Sequence, residues 1–179
     1  MTPKVFTSSV KKICFRPRIS FILSIAERAC KTFSSEDELF KKIDHPFDIA
    51  WVWLSDQSNT ALDIYEAVQP LHGLCSEFKD DKKQLSAIFS AISALYYTSW
   101  EVEAFEFTYL KRDNSSKFGG DFFEISDSFI SDTREHALTA VENPKSETLW
   151  QEKTIKSLLE KHSLCKKGEL SDFFPRGSL

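Results

Sequence analysis

The chain has 179 residues, 41% of them hydrophobic, and a formal net charge of -4, which excludes a disordered segment and fits one domain with a sizeable core. Sixteen Phe against five Gly argue against a turn-rich β fold, which needs glycine at its hairpins. The charge is uneven: residues 1–18 hold Lys4, Lys11, Lys12, Arg16 and Arg18 and no acid, so the remainder carries 18 bases against 27 acids, a net of -9. Such a body repels phosphate, so nucleic acid is not an expected direct partner, whereas a basic protein is. No apolar run is long enough to span a bilayer. The nearest to a signal segment, ISFILSIA at 19–26, runs straight into Glu27 and Arg28 and lacks a small-residue cleavage site. The expectation is a soluble, cytoplasmic protein.

In chain order, residues 1–17 read as an irregular basic arm with a short extended piece at 5–7. A first helix is expected over 19–31, with Phe21, Ile22, Ile25, Ala26 and Ala29 inward. Ser34 and Ser35, followed by Glu36, Asp37 and Glu38, suit a helix start, because free amides there favour oxygen acceptors and negative charge. The short helix they open reaches about residue 43, and Pro46 closes it or opens the next. Residues 47–54, FDIAWVWL, suit a buried strand by Trp and Val content, but no partner strand is evident and helix is the better reading. Polar residues 58–60 cap a helix at 61–69 that Pro70 stops, and 71–79 reads as a connection or a broken turn.

Residues 82–110, KKQLSAIFSAISALYYTSWEVEAFEFTYL, read as one long helix around which the rest is organised. Leu85, Ile88, Phe89, Ile92, Leu95, Tyr96 and Trp100 recur at three- and four-residue steps, as one buried face requires. Ala87, Ala91 and Ala94 form an adjacent face of small side chains that lets a second helix come close. Asp80 and Asp81 stand at its start with the sign the helix dipole favours. A polar loop follows, from Asp113 to Gly119-Gly120. A helix is expected over 121–141, with Phe122, Phe123, Ile125, Phe129, Ile130, Ala137, Leu138 and Val141 inward. Asn143-Pro144 breaks it, and Ser146 with Glu147 leads into a last helix to about His162, where Leu149, Trp150, Ile155, Leu158 and Leu159 are apolar. The tail is polar up to Phe173 and Phe174. PRGSL at 175–179 resembles a protease-site linker and is set aside from functional reasoning. The fold class is therefore all-α: a single-domain helical bundle of about six or seven helices around a long central helix. The basic arm takes 1–18, the bundle 19–163 and the tail 164–179.

Few residues point to chemistry. Cys14, Cys30, Cys75 and Cys165 are scattered without a CxxC pair, and His45, His72, His136 and His162 do not cluster with them, so reduced thiols and no structural zinc are expected. Gly119-Gly120 is followed by Asp and lacks the Lys and hydroxyl of a phosphate loop, and neither GxSxG nor HExxH occurs. No catalytic, cofactor-binding or metal-binding residue is assigned, no cofactor is called for, and no enzyme is expected. Glu27 and Arg28 interrupt an apolar helix, either as an exposed stripe or as an ion pair to another helix. Two acidic clusters remain: Glu101, Glu103 and Glu106 on the central helix, and Asp121, Glu124, Asp127 and Asp132 on the next. A di-metal bundle site would need Glu-x-x-His repeats that are absent. A solvated face is the ordinary reading of such clusters. Phe123 and Phe129 interleave with the acids, as aromatic anchors ringed by charge do at protein interfaces, and the seven acids are therefore the candidate partner-binding residues.

Three stretches carry a resemblance. FILSIAERA at 21–29, AISALYY at 91–97 and VENPKSETLWQEKTIKSLLE at 141–160 are similar to the YjaG-like family of uncharacterised, small, all-helical bacterial proteins. The shared marks are Glu27-Arg28, Ala91-Ile92-Ser93-Ala94, and Asn143-Pro144 with Trp150, Ile155, Leu158 and Leu159. The chain departs from that pattern in lacking Pro after Glu-Arg and in the loop at 113–120. The resemblance implies a fold and no chemistry. By size and composition the chain also resembles the immunity proteins that bacteria pair with secreted toxins. That likeness implies a binding protein that neutralises a basic toxin domain, a nuclease, by covering its active site. The competing expectations are a helical enzyme with a pocket lined by Glu27, His136 or the acids, and a structural oligomer.

Overall fold

The computed structural model describes residues 1–33, 38–110, 122–162 and 175–178, with side chains at all of these except 38–40 and 122–126. Every regular element among the described residues is helical. Seven helices make the bundle: α2 (Phe15–Cys30), α3 (Glu38–Asp56), α4 (Ala61–Val68), α5 (Leu71–Glu77), α6 (Lys82–Phe105), α7 (Phe122–Ala140) and α8 (Pro144–His162). α1 (Pro3–Val10) precedes them, and a π turn (Glu106–Leu110) extends α6. The all-α bundle around a long central helix is thus as expected, and 82–110 is the continuous helical run that the sequence marks out. The polar loop at 113–120, the cap at 34–37, Cys165, Phe173 and Phe174 lie outside the described residues.

Helix ends follow local chemistry. Asp81 caps α6 by accepting from the amides of Lys83 and Gln84, both at 3.0 Å. Thr60 and Asp63 close a capping box on α4: the Thr60 amide donates to Asp63 Oδ2 at 2.7 Å while Asp63 N donates back to Thr60 Oγ1 at 3.3 Å. Pro144 opens α8, where a missing N–H costs nothing, and Asn143 Oδ1 accepts from Ser146 N at 3.0 Å.

Four local expectations are corrected. The arm at 1–17 is not irregular. Pro3 at a first-turn position and the Thr2 cap start α1, whose Phe6 and Val10 are fully buried. α3 runs through Pro46 rather than breaking there. Burial of Phe47, Ala50, Trp51, Trp53 and Leu54 outweighs the roughly 3 kcal/mol that an interior proline costs. The connection at 71–79 contains α5, because Leu71 and Leu74 are buried. Cys14 is disulfide-bonded rather than reduced. Cys30 and Cys75 are free.

α6 sits at the centre and packs on α2, α3, α4, α5 and α7. Its small side chains set that geometry. Ala87, Ala91 and Ala94 are fully buried, Cys30 Sγ of α2 lies 3.8 Å from the Ala87 carbonyl oxygen, and Ser90 Oγ donates to the Thr133 carbonyl of α7 at 2.9 Å. No room is left there for a longer side chain. Ala87→Leu is expected to destabilise the bundle by about 1–3 kcal/mol through overpacking, read as a lower urea midpoint with an unchanged slope.

Candidate functional site

Among the described residues, helices pack on every side of α6 but one. Leu85, Phe89, Tyr96 and Trp100 share the remaining side, at steps of four, seven and four, and are half-buried or exposed. These are members of the face that apolar periodicity assigns to the core; Ile88, Ile92 and Leu95 are the ones that are buried. Rings from the flanking helices brace the strip. Tyr65 of α4 and His72 of α5 each pack on Tyr96 with centroids 5.7 Å apart. Phe129 of α7 lies 5.8 Å from Tyr96 and 5.1 Å from Trp100. His136 lies 5.2 Å from Phe89. The Tyr96 hydroxyl accepts from Gln69 Nε2 at 3.1 Å and is 2.7 Å from His72 Nε2. Burial raises the Tyr96 phenol above its ordinary pKa, with Gln69 opposing. Paired rings contribute about 0.5–1.5 kcal/mol beyond the area they bury, so the strip is an ordered surface. Beyond its C-terminal end the π turn exposes Phe107 at 67% and Tyr109 at 42%. Single π turns recur at functional sites because they re-aim side chains.

The acids predicted as one face divide into separate groups. Glu106 is fully buried, which corrects its assignment to the surface. It accepts from Trp53 Nε1 at 3.3 Å and from the Ala61 amide at 3.4 Å. It follows Ser99 by seven residues and Leu95 by eleven, and so shares their inward side. Glu103 is also withdrawn, at 8% exposure. It follows Trp100 by three and Tyr96 by seven, which puts it at the edge of the strip. Its Oε2 has no hydrogen-bond partner among the described residues. Burial first, and then Glu106, raises its pKa. Asp132 follows Phe129 by three and precedes His136 by four, on the flank of the strip. Glu101 and Asp127 face elsewhere and hold the basic N-terminal segment, through Arg18 and Lys11, each at 2.7 Å. Asp121 and the Glu124 side chain lie outside the described residues.

Glu27 and Arg28 turn in different directions. Glu27 is buried and accepts from Trp51 Nε1 at 3.1 Å. Arg28 pairs with the buried Glu147 of α8 at 3.0 Å and lies over the Trp150 ring at 4.1 Å. The pair is therefore two inter-helix ties rather than an exposed stripe. His136, on the strip, is remote in environment from Glu27, which sits between α2 and α3. Among the described residues no group of His, Cys, Asp or Glu is arranged to hold a metal ion, and no helix is long and apolar enough to cross a membrane.

Fold and surface together define the class: an all-α bundle with an ordered aromatic strip at the border of an acidic body. The chain belongs to the Immunity protein Imm6 family, whose model matches residues 17–132. The matched span runs from within α2 to the middle of α7 and contains all of α6. An immunity-type function follows, with a toxin as its protein partner. The match bears out the resemblance to immunity proteins and gives no support to the YjaG-like one. No curated protein and no solved structure matches the chain.

Sequence reasoning missed Tyr65, His72, Tyr96 and Trp100 as surface groups. The available signal was their chemistry, since phenol, imidazole and indole each carry a polar tip that suits a half-wet position.

Glu103 generates a test. A carboxyl whose pKa is raised on folding favours the folded state while protonated, and that contribution is lost as pH rises through the folded pKa. Glu103→Gln, which cannot ionise, is expected to unfold at higher temperature than wild type at pH 7 to 8. The advantage should vanish below about pH 4, near the unfolded carboxyl pKa. Thermal unfolding followed across that range by circular dichroism reads it.

Proposed function

We propose that the chain binds and neutralises a cognate bacterial toxin domain in the cytoplasm by laying the open side of α6 over the toxin's active site or substrate groove. Family membership supports the immunity role. The observation that supports the surface is the aromatic strip, ordered by ring packing yet half-buried or exposed, on a chain of net charge -4. Tyr and Trp dominate the energetics of protein interfaces because they bury large areas at little entropic cost. Glu103 and Asp132 border the strip and complement a basic partner such as a nuclease. The wider acidic field, Glu101, Asp127 and Glu124 included, speeds the encounter without adding much affinity. The mechanism is occlusion: the immunity protein performs no chemistry of its own and excludes substrate.

The test uses a cognate toxin domain. Trp100→Ala and Phe89→Ala are each expected to weaken binding by roughly 30-fold, about 2 kcal/mol, mainly through faster dissociation. Asp132→Lys should slow association and reduce its salt dependence. Surface plasmon resonance at two ionic strengths separates the two effects. Wild-type affinity in both alanine variants, with helicity intact, would remove the strip from the interface.

A further inference from the structure

A second polar cluster lies away from the α6 strip, in the cleft between the end of α2 and the first half of α3. Its carboxylates are Glu27 of α2 and Asp44 and Asp48 of α3, the latter two four residues apart on one helix face. Ile43 and Phe47 supply apolar walls, and Cys30 lies at the base. The cleft holds a guanidinium. Arg176 gives its Nε to Glu27, one terminal nitrogen to Asp44 and the other to Asp48, so each nitrogen meets a different carboxylate. Trp51 Nε1 donates to the same Glu27 oxygen at 3.1 Å and fixes that carboxylate from behind. Among residues 175–178, Arg176 alone hydrogen-bonds to the body; the other bonds are the local ones between Ser178 and Pro175.

The arrangement is selective by shape as well as by charge. A guanidinium is a rigid planar fork whose donors match several carboxylates at once, whereas an ammonium is a point charge on a flexible stem. Lys31 also lines the cleft, and three carboxylates against two cations leave it formally negative even when it is filled. At Glu27, burial raises the carboxyl's pKa, and Arg176 is the largest influence lowering it. Burial and the fields of Glu27 and Asp44 likewise push the Cys30 thiol well up. The cleft thus favours a cation from any source that reaches it, and Arg176 displays that chemistry whatever the tail does otherwise.

We propose that the α2–α3 cleft is a guanidinium-binding site that takes an arginine side chain of the toxin domain; Arg176, from the segment given no function above, marks the site by occupying it and must be displaced by the incoming arginine. The identity of the donor rests on the toxin-binding reading above; the existence of the site does not. A tethered group competes at an effective concentration in the millimolar range, enough to keep the carboxylates neutralised and low enough for a well-placed partner to win.

The first arm needs no toxin. N-acetyl-arginine amide is titrated into the full chain, with the Trp51 indole N–H resonance as the readout. Arg176→Ala is expected to give a saturable shift in the millimolar range. The wild type should respond about tenfold more weakly because the tail competes, and Asp44→Asn with Asp48→Asn on the Arg176→Ala background should respond weakly or not at all. The lysine amide should bind less well than the arginine amide. No saturable shift in Arg176→Ala, or an equal shift after the two Asp→Asn changes, overturns the site. In the second arm the toxin domain replaces the amide. Arg176→Ala should bind it several-fold more tightly than wild type, and the two Asp→Asn changes should cancel that gain. Unchanged toxin affinity in both variants, beside normal amide binding, overturns the toxin arginine as occupant. Failure of every form, wild type included, to bind the toxin overturns the toxin-binding reading instead and leaves the guanidinium site established by the amide.

Discussion

The bundle depends on how closely its neighbours approach α6. A helix packed on by five others needs small side chains where backbones come near, and it needs an answer for each polar group it turns inward. Ala87, Ala91 and Ala94 meet the first need. Ser90 meets the second by donating to α7, and Thr98 by donating to the Ala94 carbonyl of its own helix at 2.8 Å. Because the small face draws the neighbours in, the opposite side is left to large rings. Those rings fill the groove between α4, α5 and α7, where Phe89 stays exposed and Tyr96 and Trp100 stay half-buried. The open strip is therefore a consequence of the same packing that makes the core.

Buried carboxylates form the second layer of the design. Glu27 receives Trp51, Glu106 receives Trp53, and Glu147 receives Arg28 and Gln151. Each ties one helix to another through a directional contact that an apolar pair would not provide. A buried charge left without a partner is strongly destabilising, so such ties specify one arrangement of helices more than they add net stability. Glu103 is different. It is nearly buried, has one oxygen without a hydrogen-bond partner among the described residues, and sits at the strip's edge. A group held at a cost to the free protein is what a surface built for a cationic partner would retain.

Much of the fold was legible in the sequence, since three- and four-residue periodicity reports a helix directly. The extent of 82–110 follows from it, whereas 47–54 reads as helix only because no partner strand is evident. What periodicity cannot report is which neighbour covers which face. Phe89, Tyr96 and Trp100 read as core because they are apolar, yet Phe89 is exposed and Tyr96 and Trp100 are only half-buried. The acids were grouped by nearness in sequence, whereas their positions around the helix decide their fate: Glu101, Glu103 and Glu106 point three ways. α3 passes Pro46 because tertiary burial of two Trp and a Phe outweighs a local preference. The α2–α3 cleft was invisible because its three carboxylates come from two helices, and its guanidinium from a segment more than a hundred residues away.

One measurement bears most directly on the claim that the uncovered side of α6 is the binding surface of this immunity protein. Hydrogen exchange is followed by mass spectrometry for the chain alone and for the chain saturated with its toxin domain. The account predicts that amides of 82–99 are the slowest in both states, as the centre of the bundle requires. It further predicts new protection in α4, α5 and the half of α7 that carries Phe129 and His136. A tight complex that adds protection only at α8 or α1, and none along either flank of α6, would contradict it.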